Sequence, residues 1–157
     1  MLQAQEASSV RRGEGEALWW FGLLAEIKAT GADTAGQLAL VEITGAPGYE
    51  GVPHVHHRED EGFWILDGEV TLEVAGETIE MVTGDYAFGP RDIPHSFKVG
   101  DTGCRMLFIF TPAGIEDFIR KTSEPAQSRI TPPPPEQAPD MERLKELAKE
   151  YGAEILL

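Results

Sequence analysis

A single cysteine in 157 residues excludes an internal disulfide and any cysteine-built zinc cage, so neither a stapled secreted scaffold nor a zinc finger fits this chain. Basic residues are also scarce. Thirteen Lys and Arg stand against twenty-seven Asp and Glu, for a formal net charge of -14. Between Glu42 and Asp85, eleven acidic residues face one basic residue, Arg58. Such a surface repels phosphate backbones, which argues against nucleic acid and anionic lipid as partners. No apolar run approaches the ~18 to 20 residues a membrane helix needs, and the opening M-L-Q-A-Q-E-A-S-S-V-R-R lacks the basic-then-apolar order of a secretory signal. The expectation is a soluble, cytoplasmic protein with no membrane partner. Its length fits one domain that buries a core without staples. Cys104, within C-R-M-L-F-I-F, reads as a small buried hydrophobe.

What is present is a series of short β-type runs separated by turn signals. Residues 17–30, A-L-W-W-F-G-L-L-A-E-I-K-A-T, read as an opening strand pair, and residues 1–35 as N-terminal strands with a dimer or lid segment in which Trp19, Trp20 and Phe21 stand out. Q-L-A-L-V-E-I-T alternates, with Ala39, Val41 and Ile43 on one face. Further runs follow, F-W-I-L, E-V-T-L-E-V, T-I-E-M-V and Y-A-F-G, with D-G at 67–68 predicting a hairpin turn. No helix-length periodic segment interrupts residues 36–112, so an all-β sandwich or barrel is expected there. Residues 113–122 carry Ile115, Phe118 and Ile119 at helical spacing and predict a short helix. Residues 123–139 form a Pro-rich linker whose prolines 132–135 hold an extended polyproline spacer. Residues 140–152 predict a C-terminal helix, capped by Asp140 and stopped by Gly152.

The four histidines are where the chemistry gathers. In an extended strand, residues two apart share a face, so His54 and His56 can offer both imidazoles to one ion while Val55 turns away. A carboxylate after the next turn, Glu61 with Glu59 and Asp60 as competitors, and His95 would complete three nitrogens and one oxygen. Such a set suits one divalent transition metal ion, Fe, Mn, Ni, Co, Cu or Zn, and leaves coordination positions open for water or substrate. His57 lies off this face and reads as exposed or as a donor behind the ligands. If Glu61 points inward, so do Phe63 and Ile65. Phe97 shares the face of His95, and Phe108 and Phe110 alternate with Leu107 and Ile109 so that one pair lines the barrel. Phe63, Ile65, Phe97, Phe108 and Phe110 are therefore the substrate-pocket candidates.

Two motifs carry a family resemblance. Gly48, His54, His56, Glu61 and Gly68 meet every fixed position of G-x5-H-x-H-x3or4-E-x6-G, and Gly84, Pro90 and His95 meet G-x5-P-x-G-x2-H-x3-N. In the second motif Asp92 replaces a glycine and Val99 an asparagine. Over residues 36–112 the chain thus resembles the cupin superfamily, and most closely the small single-domain cupins similar to bacterial quercetin 2,3-dioxygenases. The resemblance implies an RmlC-like fold: a double-stranded β-helix, or jelly-roll barrel, with short C-terminal helices. It assigns His54, His56, Glu61 and His95 as metal ligands and Glu61 as a catalytic base.

The function so implied is a metal-dependent dioxygenase acting on a small aromatic or enol substrate, with a homodimer expected because cupins commonly pair and barrel edges invite it. Two alternatives share the barrel. One is a non-catalytic metal-binding sensor, for which no helix-turn-helix or basic patch is visible. The other is a sugar isomerase or epimerase, which would need basic side chains in the lumen, with Arg91, Lys98 and Arg105 the candidates nearby.

Overall fold

The computed structural model describes residues 5–157; the first four residues of the N-terminal segment lie outside it. The described residues form ten strands: β1 (Glu16–Trp20), β2 (Leu23–Ala29), β3 (Ala39–Gly45), β4 (His54–His56), β5 (Asp60–Val74), β6 (Glu77–Val82), β7 (Tyr86–Gly89), β8 (His95–Thr111), β9 (Glu124–Pro125) and β10 (Ala153–Ile155). Three helices accompany them, α1 (Gly31–Thr34), α2 (Ile115–Thr122) and α3 (Met141–Glu150). All pairings are antiparallel. The fold is all-β, as the turn-punctuated runs predict, and none of the described helices is long and apolar enough to cross a membrane.

Two long strands organise the barrel. The first half of β5, from Asp60 to Ile65, pairs with residues 106–111 of β8, and its second half, from Val70 to Val74, pairs with residues 95–99. One half of the barrel therefore runs β9-β1-β2-β3-β8-β5-β7, and the other β10-β4-β8-β5-β6, with β5 and β8 shared between them. Where the strands turn from one half to the other, the register shifts around Asp67 and Gly68. The D-G hairpin expected at this point does not exist. Asp67 and Gly68 lie inside β5, because both flanking runs find their partner in β8 rather than in each other. The positive φ that D-G supplies is used for a bulge, not a turn. Gly68 has φ +92, and a Cβ there would collide with the Gly103 carbonyl oxygen. The real hairpin turn follows at Ala75 and Gly76, both with positive φ.

The inward face of β3 is fully buried at Ala39, Val41 and Ile43, as the alternation predicts, and joins Ile65, Leu72, Met106 and Ile119 in one core. Burying this apolar surface supplies the main drive for closure, at about 25 cal/mol per Å². Cys104 is buried in that core, and burial pushes its thiol up to about 11. Helix α2 buries Ile115, Phe118 and Ile119 against the barrel. Helix α3 starts where Asp140 accepts from the Arg143 amide at 3.2 Å, and buries Ala148. After Gly152 (φ +71) the chain returns as β10 and pairs with the His-Val-His strand β4. Sequence periodicity gave no sign of this strand, because three residues are too few to show alternation.

Candidate metal centre

Strand β4 lies between β8 and β10, and this fixes the directions of its two histidines. His54 is the register partner of His95 across the β4–β8 pair, with ring centroids 4.5 Å apart. Glu61 enters from β5, beside Phe110 and Gly89. The ligating atoms of His54, His56, Glu61 and His95 all lie within 4.8 Å of one another. The structure thus brings together the four residues that the sequence selects, and His56, Glu61 and His95 are almost fully buried.

The local contacts aim each ring. His54 Nδ1 lies 2.7 Å from the Val52 carbonyl, which can only accept, so Nδ1 carries the proton and Nε2 presents a lone pair to the cluster. His56 Nδ1 lies 2.8 Å from Glu59 Oε1, which turns His56 Nε2 inward in the same way. Gly89 leaves room at the His95 ring, since a Cβ there would sit 3.2 Å from Phe63 and 3.5 Å from His95 Nδ1.

At the centre, Glu61 Oε2 is 2.8 Å from His95 Nε2 and 3.0 Å from His56 Nε2, and His54 Nε2 is 3.2 Å from His56 Nε2. These contacts are short, yet Glu61 Oε2 and both His95 ring nitrogens have no partner in acceptable hydrogen-bond geometry, and the His56 Nδ1–Glu59 Oε1 contact is likewise an ion-pair approach and not an aligned hydrogen bond. All four ligating atoms lie within 4.8 Å of one another, close enough to face one ion. Ligands about 2.1 Å from one ion and at right angles stand about 3.0 Å apart. The donor set therefore fits a transition-metal ion on its chemistry, its spacing and its unsatisfied buried atoms.

Electrostatics divide the protons of the metal-free cluster. Burial, then the charges of His56 and His95, push His54 down to about 3, so it is neutral at pH 7. Burial also opposes charge on His56, but contacts with Glu59 and Glu61 outweigh it and lift this ring to about 9. Burial would raise the Glu61 carboxyl, but the His95 charge and contacts with His56 and His95 hold it well below the usual carboxylate range. One proton on His56 must therefore leave before that nitrogen can bind a metal.

The remaining candidates fall into place around this centre. Phe63, Phe97, Phe108 and Phe110 line a cavity of about 1030 Å³ that opens onto the ligand set. Their rings meet edge to face, with Phe63–Phe108 centroids 5.5 Å apart and Phe108–Phe110 6.0 Å. Ile65 is inward and fully buried but does not reach the cavity wall: it packs in the core opposite Met106. His57 is half exposed and contacts Asp92 at 2.7 Å and Glu154 at 3.3 Å, away from the ligands. Asp92 has φ +66, a turn conformation Asp adopts more readily than most residues, which explains how it replaces a glycine.

Two groups escaped sequence reasoning. Glu59 is buried behind His56 and is not a rival ligand to Glu61. Nothing in E-D-E separates the three acidic residues until the strand phase is known; Asp60 turns outward to Arg91 at 3.1 Å. Tyr49 lines the mouth, stacks on Phe97 at 5.8 Å and donates to the Phe21 carbonyl at 2.7 Å. Burial pushes its hydroxyl up to about 12. Trp19, Trp20 and Phe21 also line the mouth.

Residues 41–110 match the Cupin_2 family, described as Cupin domain. A quercetin 2,3-dioxygenase of Bacillus subtilis (strain 168) is 30% identical over 124 residues, 79% of this chain and 37% of that protein. A quercetin 2,3-dioxygenase of Aspergillus japonicus is 31% identical over 72 residues, 43% of this chain and 21% of that protein. The chain thus spans well under half the length of these curated relatives. Among solved structures, an RmlC-like cupin from Shewanella frigidimarina NCIMB 400 superimposes with a TM-score of 0.61 at 26% identity, covering 74% of this chain and all of that one. Motif, metal-ligand geometry, jelly-roll architecture and these similarities together make this chain a member of the cupin superfamily.

Proposed function

We propose that this cupin is a metal-dependent dioxygenase acting on a small, uncharged aromatic or enol substrate, in the manner of a quercetinase. The observation that carries the reading is the pairing of an open His3Glu set with an aromatic cavity that has no Lys or Arg among its described lining residues. A bound divalent metal would lower the pKa of a coordinated enol hydroxyl and hold the two reactants together. His54, His56, Glu61 and His95 would hold that ion. Glu61 is ionised at neutral pH, but the His95 and His56 contacts that hold its carboxyl down also weaken it as a proton acceptor, so the role of a base would depend on a bound ion lowering the pKa of the hydroxyl. The phenylalanine walls exclude water and favour a flat apolar ring over a hydrated one. Similarity to two proteins named quercetin 2,3-dioxygenase supports the same class.

The isomerase alternative loses its basic residues to other partners. Arg91 pairs with Asp60, Lys98 with Glu50 and Arg105 with Glu42, and none of the three lines the cavity. A phosphate or nucleotide would find acidic neighbours there, Glu61 among them, and no countercharge. The dioxygenase reading is tested by anaerobic loading with Fe, Mn, Ni or Co, followed by oxygen uptake with flavonols and other enols. Uptake that depends on metal and substrate together is expected; none with any of these metals sinks the reading, and leaves a binding module as the alternative.

A further inference from the structure

The Pro-rich segment, read from sequence as a spacer, does not lie apart from the barrel. Pro132, Pro133, Pro134 and Pro135 line the same cavity as the metal-ligand set. Both ends of the segment are fixed. On its N-terminal side, β9 pairs with β1, the Ala126 amide donates to the Ala17 carbonyl at 3.0 Å, and Arg129 reaches buried Glu26 at 2.6 Å and the Gly15 carbonyl at 2.8 Å. The Trp19 indole N–H donates to the Ile130 carbonyl at 3.0 Å. On its C-terminal side, Asp140 caps α3. Between these anchors, among the described residues, nothing from Thr131 to Pro139 makes a hydrogen bond.

We propose that residues 131–139 are a wall of the ligand site, a polyproline strap that touches the bound molecule and swings between its fixed ends to admit it. The inference rests on the reading above that a small apolar molecule occupies this cavity. Composition supports it. Thr131 and Pro132 are partly buried and residues 133–139 are exposed on their outer side; an ordinary loop in this place would turn some backbone N–H groups toward an apolar ligand, where they would find no partner. Five of these nine residues are proline, which has no N–H to bury. Fixed φ angles also mean that little chain entropy is lost when the wall closes on a ligand. The same cavity is lined by Trp19, Trp20 and Tyr49, aromatic surface of the type on which polyproline segments dock. Such contacts are reversible because no hydrogen bond has to break.

The test uses the full chain and a neutral apolar fluorophore, N-phenyl-1-naphthylamine, followed by equilibrium and stopped-flow fluorescence. In one variant P132G, P133S, P134G and P135S are combined; circular dichroism checks that the barrel is intact. In a second, Trp19→Phe keeps an aromatic ring but removes the donor to Ile130. The wild type should bind about one probe per chain, and the four-residue variant should bind about tenfold more weakly. Trp19→Phe should speed both association and dissociation about threefold or more, with a smaller change in Kd. A Kd and association rate unchanged in both variants, or no probe binding by the wild type, overturns the proposal. Metal content, read in parallel by elemental analysis, is independent of this outcome, so failure of the metal-dependent reading is distinguishable from failure of the strap.

Discussion

Removing the carboxylate of Glu59 should weaken metal binding even though Glu59 is not a ligand. Its Oε1 lies 2.8 Å from His56 Nδ1, and both side chains are nearly inaccessible, at 3% and 7%. At this distance the charge of the carboxylate favours the His56 proton on Nδ1, although the two atoms are not aligned as a hydrogen bond, and so leaves Nε2 as the electron-pair donor with raised basicity. Outer partners of this kind are worth about 10- to 100-fold in metal affinity, or about 1.4–2.8 kcal/mol. Glu59→Gln retains an oxygen acceptor but loses the charge, so it should fall near the lower end, about tenfold. Glu59→Ala loses both and should approach 100-fold. Asp60→Ala is the control, since Asp60 faces Arg91 on the surface. Competition titration of Co or Zn against a chromophoric chelator measures all three. An affinity for Glu59→Ala within about threefold of wild type would refute the orienting role and the tautomer argument with it.

Three further predictions follow from the same geometry. Because His56 sits at about 9 without metal, proton and metal compete for its Nε2, and apparent affinity should rise about tenfold per pH unit up to about 9. Titration calorimetry in two buffers of different ionisation enthalpy should show about one proton released at pH 7, and zero release would contradict the assignment. His54→Ala, His56→Ala or His95→Ala should each strip most of the metal while His57→Ala keeps it, by elemental analysis; equal loss at His57 would mean the strand register is wrong. Gly68→Ala should cost about 2–4 kcal/mol, from strained positive φ and collision with Gly103, and lower Tm by roughly 4–16 °C; an unchanged Tm would show that the bulge can relax.

Much of the metal centre was legible because β structure has a period of two. Once His54 and His56 share a face, Glu61 and His95 are the carboxylate and imidazole at motif distance, and the strands place all four together. The same period turns Phe63, Phe97, Phe108 and Phe110 inward, where the structure buries them beside the cavity. It cannot say how deep an inward residue sits, which is why Ile65 proved to be core and not cavity wall. Nor does a local turn signal know its partners. Asp67-Gly68 carries hairpin chemistry, but β8 offers a long-range partner to both flanking runs and the turn becomes a bulge. The strand β10 and the strap at 131–139 were invisible for a related reason. Their positions depend on contacts with β4 and with the mouth, from residues about a hundred positions away in sequence.

The central claim is that His54, His56, Glu61 and His95 hold one metal ion. X-ray absorption spectroscopy of the Co-loaded protein tests it most directly, read beside metal content. The account predicts about one metal per chain, with three imidazole nitrogens and at least one oxygen at about 2.0–2.2 Å, and loss of that signal in His95→Ala. Loading that stays well below one equivalent, or a shell with fewer than three imidazoles, would contradict it.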